Sequence, residues 1–448
     1  MEKTTIRIIA LSTLLVFFGT VAEAKKWTLQ ECLSYALSNN ITLQRARLTK
    51  ASAHEDVLQA QAQLLPSLSA STSHVVAYTP FPETGRAQVT NGYVESSIDK
   101  VSYNGSYGIN ANWTMWNGNQ NHNLVKLNKL IEQKAEVDSA VTANSIQEQI
   151  AQLYVQILYS AEAIKVNQQS LEASKKNEER GKEMVKVGSM SKAELSQLTA
   201  QRAQDEYNIV AAESNMRDYT RQLKQLLQIT NDDNFEVETP TDETGDALQA
   251  IPSLTQVYEE ALSNRPEIKS SQLAIEQNQL NLKIAKAQSL PSVALSAGVS
   301  TNSTTLNDNA WGTQLKNNLG LNGGVTVSIP IFDQRKKKTA VSKALISIED
   351  SKMQLRDQET QLYATIENYW IQATTNQAKY RSSVANTKSQ QDSYDMLSEQ
   401  FRLGLKNIVE LMNGKTNLIT AQQEQLQSKY LTLLNINMLK FYMQGEIK

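Results

Sequence analysis

Leu29-Gln30-Glu31-Cys32-Leu33-Ser34-Tyr35-Ala36-Leu37-Ser38-Asn39 returns as Leu254-Thr255-Gln256-Val257-Tyr258-Glu259-Glu260-Ala261-Leu262-Ser263-Asn264, 225 residues later. At the same offset Leu65-Pro66-Ser67-Leu68-Ser69 returns as Leu290-Pro291-Ser292-Val293-Ala294. Farther on, Val187-Gly188 through Glu194-Leu195 matches Leu403-Gly404 through Glu410-Leu411 at an offset of 216. Trp116 and Phe332 already stand 216 apart, so the nine extra residues of the first copy fall between Pro66 and Trp116, in the first strand pair or its loop. One structural unit is therefore used twice, over residues 25–240 and 241–448, and a single architecture has to serve both copies.

Within a copy, Thr42 to Leu65 is rich in Ala, Gln, Leu and charge and lacks Gly and Pro, which predicts a helix that stops at Pro66. Strands are predicted over 67–78 and 102–115, joined by a loop rich in Pro, Gly, Asn and Thr. In the second strand Tyr103, Gly105, Tyr107, Ile109, Ala111 and Trp113 share one face, and Asn104, Ser106, Gly108, Asn110, Asn112 and Thr114 share the other. Copy two repeats the pattern over 292–303 and 319–331, with Leu321, Gly323, Val325, Val327 and Ile329 opposite Asn322, Gly324, Thr326 and Ser328. Such alternation over about 10 residues fits a membrane-barrel strand around an aqueous lumen. An amphipathic strand of a soluble sandwich would also show it.

Each strand pair is followed by a stretch free of Gly and Pro, which predicts long helices over 118–187 and 334–403, with Asn117 and Asp333 suited as N-caps. Ile146, Ile150, Leu153, Ile157, Ile164 and Leu171 recur at the spacing of a coiled-coil seam. About 70 residues at 1.5 Å each give a rod of roughly 105 Å. Helices over 192–228 and 42–65 add to nearly that length, as do 407–443 and 267–290, so two shorter helices laid end to end can flank each long one. Each chain then offers four strands and four rod-length helical columns.

Four strands cannot close a membrane barrel, which needs about eight or more. Open sheet edges in lipid would leave backbone groups unsatisfied, so copies of the chain must join. A dimer would give eight strands and a barrel too narrow for a wide lumen, whereas a trimer matches twelve strands to twelve columns, so the expected fold is an α+β membrane protein whose trimer forms a 12-stranded β-barrel continued by a 12-helix α-barrel. Lys3 and Arg7, the apolar run Ile8 to Phe18 and Ala22-Glu23-Ala24 read as a signal peptide over 1–24.

Composition excludes other classes. With 44 basic and 46 acidic residues, a net charge of -2 and a pI near 6.1, the chain has no electrostatic footprint for nucleic acid. His54, His74 and His122 show no metal-ligand spacing, no glycine-rich phosphate loop accompanies them, and Cys32 reads as a small buried residue. No catalytic set, metal site or cofactor is expected.

The paired Ala-Leu-Ser-Asn openings, the Leu-Pro-Ser exits, Trp116-Asn117-Gly118, and the Val187-Gly188 and Leu403-Gly404 turns followed by Glu-Leu resemble the outer membrane efflux protein family, the TolC-like exit ducts. The resemblance covers essentially the whole mature chain. Phe332-Asp333-Gln334 departs from it, since a glycine commonly follows there. The resemblance implies a homotrimer in the outer membrane, extending into the periplasm and working with an inner-membrane pump and a periplasmic adaptor protein in efflux or type I secretion. It also implies that Val187, Gly188, Ser189, Leu403, Gly404 and Leu405 touch the adaptor. By position, Phe401 and Lys406 would hold the closed-state latch, and Glu410 would form a three-fold carboxylate ring, with neutral Asn413 one turn later where a second acidic ring is often found.

Read from the residues alone, Ser191 with Glu194 and Asn407 with Glu410 are capping boxes, so Glu410 has two possible roles, cap and pore. Trp113 and Trp116 can mark a membrane interface or pack barrel against tunnel. Arg335-Lys336-Lys337-Lys338 opposes the dipole at the start of a long helix, and either contacts anionic phospholipid headgroups of the inner leaflet or is a solvated face. The competing class is a non-conducting periplasmic or surface coiled-coil rod, which explains the helices but not the alternating strands.

Overall fold

A computed structural model of the chain describes residues 26–81, 85–89, 92–96, 100–230, 235–238 and 246–445; the expected leader over 1–24 lies outside them. In chain order the elements are β1 (Lys26–Trp27), α1 (Leu29–Asn39), α2 (Ile41–Ala62), β2 (Ser67–Tyr78), β3 (Gly85–Val89), β4 (Gly92–Ser96), β5 (Val101–Trp116), α3 (Gln120–Lys186), α4 (Lys192–Leu227), β6 (Glu236–Val237), a 3-10 turn (Asp246–Leu248), α5 (Leu254–Asn264), α6 (Pro266–Ala287), β7 (Ser292–Thr304), α7 (Trp311–Asn317), β8 (Gly320–Ser328), α8 (Lys336–Arg402) and α9 (Ile408–Gln444). The copies agree in length: α1 and α5 have 11 residues, α2 and α6 have 22, and α3 and α8 have 67. The long pair therefore spans about 100 Å.

Helix packing makes four columns. Near the sheet α2 packs on α3, α3 on α6 and α6 on α8; at the far end α4 packs on α3, α3 on α9 and α9 on α8. The shorter helices thus continue one another along α3 and α8. The largest core lies midway, where α1, α5 and the end of α9 meet the long helices: Cys32, Ile150, Ile157, Leu223, Leu227, Ile366, Ile436, Met438, Leu439 and Phe441 are fully or nearly fully buried there. β1 pairs in parallel with β6 beside it, and the Tyr154 hydroxyl reaches the carbonyls of Trp27 (3.3 Å) and Glu238 (2.9 Å).

The four long strands form one antiparallel sheet in the order β2-β5-β7-β8. The pairings Ala70↔Ile109, Ile109↔Val299 and Val299↔Leu321 bring most of the apolar residues of the four strands to one face, with Val75 and Ala77 of β2 on the other. Ser69↔Asn110, Asn110↔Gly298 and Gly298↔Asn322 bring Ser, Asn, Thr and Gly to the other. Because the side-chain period of a strand is two, a one-residue slip anywhere would mix the faces. A β-bulge at Thr114/Trp116 ends the clean register just before the helix. The connection between β2 and β5 carries the β3–β4 hairpin, whereas that between β7 and β8 carries α7.

The element ends differ from the sequence reading for identifiable reasons. β8 stops at Ser328 rather than 331, because Pro330 has no N–H to give a ladder. α3 and α8 begin two residues later than expected, since Gly118 and Asn119, and likewise Gln334 and Arg335, adopt positive φ. The capping positions are therefore Asn119 and Arg335, not Asn117 and Asp333. Asn117 and Asp333 still contribute from outside: their side-chain oxygens accept the backbone N–H of Asn121 (3.2 Å) and Lys337 (2.8 Å). At Gly118 a Cβ would come within 2.9 Å of the Ala287 carbonyl and of Leu290, which closes the first copy's junction against the end of α6.

Candidate functional site at the helical tip and on the sheet faces

Both hairpin tips are built the same way. In the first, Ser189 N–H donates to the Met184 carbonyl (2.9 Å) and Gly188 N–H to Val185 (3.1 Å); in the second, Leu405 N–H donates to Gln400 (2.9 Å) and Gly404 N–H to Phe401 (3.0 Å). Gly188 and Gly404, at φ 75 and 74, supply the left-handed residue that this Schellman geometry requires. Val187, Leu403 and Leu405 are left 77%, 57% and 70% exposed, with Gly188, Ser189 and Gly404 exposed between them. Each long hairpin therefore ends in exposed apolar side chains.

Each turn is followed by a complete capping box. Ser191 Oγ accepts Glu194 N–H (3.1 Å) while the Glu194 carboxylate accepts Ser191 N–H (2.8 Å); Asn407 Oδ1 accepts Glu410 N–H (2.9 Å) while Glu410 accepts Asn407 N–H (3.4 Å). Only Glu410 has a second partner: Lys406 Nζ donates to it at 2.6 Å, where the first copy has Met190. The Lys406 hydrogen bond, then the Asn407 amide, hold the Glu410 carboxyl below the usual carboxylate range. Asn413 is exposed one turn later. Phe401 is not at the surface. It is 3% exposed in a tip core with Leu198, Ile408 and Leu411, where its packing holds the turn.

Behind the tip the helices meet through small and polar residues. Ser160, Asn167, Ser174 and Gly181 are buried along α3 at intervals of seven, so the seam read from the sequence as apolar turns polar beyond Ile157. Where Gly181 faces Leu198 in the first copy, Gly414 faces Leu397 in the second, and a Cβ on either glycine would stand 2.6 Å from the leucine. The pairs are equivalent at the offset of 216, but glycine and leucine have exchanged helices. Gly414→Leu is expected to overfill this contact and lower stability by about 1–3 kcal/mol. Adding Leu397→Gly should recover most of the loss, read as the thermal midpoint of the purified protein.

A buried ion pair penetrates this seam. Lys415 on α9 is 4% exposed and donates to Asp205 on α4, to Ser174 Oγ and to the Ser170 carbonyl (2.8 Å) on α3; Asp205 also accepts from Ser174 (2.5 Å) and Gln201 (3.1 Å). Burial pulls the Lys415 ammonium down in pKa, against the opposing hydrogen bond to Asp205. This network joins one hairpin to the other and was not foreseen from the sequence. Its signal was register, since Lys415 stands in line with Ile408, Leu411 and Leu418 at core spacing.

At the sheet end, Trp113 Nε1 donates to the Leu64 carbonyl (2.8 Å), tying strand β5 to the end of α2, while Trp116 is 39% exposed. None of the residues of β2, β5, β7 and β8 is Asp, Glu, Lys or Arg. Toward the far end of the apolar face His74 stacks on Tyr103 and lies edge-on to Tyr107, which meets Trp311 of α7.

The sequence model of the outer membrane efflux protein family matches residues 32–228 and 257–443. The chain belongs to this family. Both matched blocks coincide with the two copies, and the hairpin tips fall inside them. The chain is 22% identical over 440 residues to the outer membrane protein TolC of Escherichia coli (strain K12), covering 93% of this chain and 82% of TolC. It is 20% identical over 406 residues to the outer membrane efflux protein BepC of Brucella suis biovar 1 (strain 1330), covering 90% and 82%. Its fold is that of the Campylobacter jejuni CmeC outer membrane channel, at a TM-score of 0.78 and 18% identity over 93% of this chain and 86% of that one. As a family member it is an outer-membrane protein that reaches into the periplasm.

Proposed function

We propose that three copies of this efflux-family chain close a 12-stranded barrel continued by a 12-helix tunnel, which conducts solutes delivered by an inner-membrane pump. The observation that carries this reading is the sheet: four strands in a register that separates an apolar from a polar face, with the outer edges of β2 and β8 unpaired among the described residues. In lipid each unsatisfied backbone group would be worth several kcal/mol, so β2 of one copy pairs with β8 of the next. Two copies give eight strands, a barrel that side chains nearly fill; three leave a lumen, and match columns to strands in number. The exposed tips Val187-Gly188-Ser189 and Leu403-Gly404-Leu405 are the surface for a periplasmic adaptor.

The barrel strands contribute no fixed charge, so ionic selection falls to the tip, where Glu410 forms a ring of three carboxylates around the axis, restrained by Lys406. In planar bilayers the purified protein is expected to conduct and to favour cations. Glu410→Gln should lower the cation-to-anion permeability ratio by about twofold or more, toward parity. Because the Glu410 carboxyl is held below the usual range, its cap and its charge persist above that lowered pKa and are lost only as pH falls through it. The wild-type preference should accordingly survive into mildly acid solution. A protein that never conducts, even with Lys406 and Glu410 replaced, would be a structural rod.

A further inference from the structure

The apolar face does not stop where β8 does. Along the sequence Val327 is followed at alternate positions by Ile329 and Ile331, 64% and 96% exposed, and Phe332 beside them is 85% exposed. Immediately after come Arg335, Lys336, Lys337 and Lys338, all exposed except the partly covered Lys337. Among the described residues none of these four cations takes part in an ion pair. The equivalent stretch of the first copy, Trp116-Asn117-Gly118-Asn119-Gln120-Asn121-His122, has no lysine or arginine.

Two local penalties accompany the cluster. Lysines in the first turn of α8 oppose the helix dipole. Gln334 and Arg335 hold φ at 55 and 70, where the first copy places Gly118 and Asn119 at 67 and 67; such backbone is unfavourable for a long side chain. Asp333, accepting the Lys337 amide N–H (2.8 Å), offsets part of the first penalty, but among the described residues none of the four cationic side chains has an ion pair or a side-chain hydrogen bond, which leaves their charge free for a partner outside the chain.

We propose that Ile329, Ile331, Phe332 and the Arg335–Lys338 cluster form a seat for anionic phospholipid at the periplasmic boundary of the membrane. The three apolar side chains extend the lipid-facing surface shared by β2, β5, β7 and β8. The cations follow within one to two turns, at the depth where that surface ends and phosphate groups begin. A free anion would have no use for the adjoining apolar residues, and an acidic protein would have to displace the membrane to reach them. The inference rests on the barrel reading above.

The test uses the full-length protein in a neutral detergent, with retention of phosphatidylglycerol and phosphatidylcholine measured by native mass spectrometry. Wild type should retain phosphatidylglycerol at least tenfold more strongly, and the preference should fall as salt is raised. Arg335→Gln with Lys336→Gln, Lys337→Gln and Lys338→Gln should abolish it. If that variant does not assemble, the lipid preference and salt dependence of the wild type decide alone. Equal retention of the two lipids by wild type would overturn the proposal, as would full displacement by millimolar inorganic phosphate, which would indicate a free-anion site. A protein that conducts but shows no lipid preference sinks this inference only; one that prefers the anionic lipid but never conducts sinks the channel reading instead.

Discussion

Lys415→Met is expected to destabilise the helical end of the protein by about 3–5 kcal/mol, because it leaves Asp205 buried with its charge and without its cation. Asp205 is 2% exposed, and its other partners, Ser174 and Gln201, are neutral donors. Asp205→Ala should do similar damage from the other side, stranding an ammonium among Ser170, Ser174 and the surrounding helices. The double replacement Lys415→Met with Asp205→Leu removes both charges together, and buried pairs replaced whole by apolar residues are often neutral in stability. The expected result is thus two damaging single substitutions and a mild double one, compared as thermal midpoints at a fixed scan rate. Because Lys415 links α9 to α3 and α4, the double variant should also loosen one hairpin against the other and open more often in bilayers, while each hairpin keeps its fold.

Arg265→Ala should cost about as much, roughly 3–5 kcal/mol, in the middle of the molecule. Arg265 is 4% exposed, pairs with Glu267 (2.7 Å) and Glu148 (3.3 Å), and lies over the rings of Tyr442 (4.3 Å) and Phe441 (5.0 Å), binding the start of α6 to α3 and α9. Its counterpart 225 residues earlier is Asn40, which donates to the Leu226 carbonyl at 2.8 Å; Leu226 in turn corresponds to Tyr442 at the offset of 216. The same joint is therefore made twice, by an amide in one copy and by an ion network in the other. Burial already raises the Glu148 carboxyl, with Arg265 as the main opposing influence. Removing Arg265 raises it further, so the folded protein binds the additional proton and stability falls as pH rises through that range. The loss caused by Arg265→Ala should be larger at neutral pH than near pH 5.

Much of this architecture was legible because it rests on features written locally in the chain. Pro66 and Pro291 end helices, alternation marks the strands, and the absence of Gly and Pro from 119 to 180 and from 334 to 403 leaves helix as the main option. What escaped notice depended on which side of a helix is covered. Lys415 and Asp205 look like any solvated pair until the seam through Ile408, Leu411 and Leu418 is seen to pass through Lys415. The heptad Ser160, Asn167, Ser174, Gly181 escaped for the same reason: small polar residues let helices approach closely without a hydrophobic signature. Glu410 was read as either cap or pore; the cap is seen in its hydrogen bonds, whereas a pore ring belongs to the proposed trimer and not to one chain. Phe401, placed by position among the closed-state latch contacts, is packed in the tip core with Leu198, Ile408 and Leu411, a burial that no local pattern announced.

The central claim is that the open edges of β2 and β8 are closed by copies of the same chain, and the most direct measurement is the copy number of the detergent-extracted particle by native mass spectrometry. Three chains per particle is the predicted result. A uniform population of single chains or pairs would contradict it.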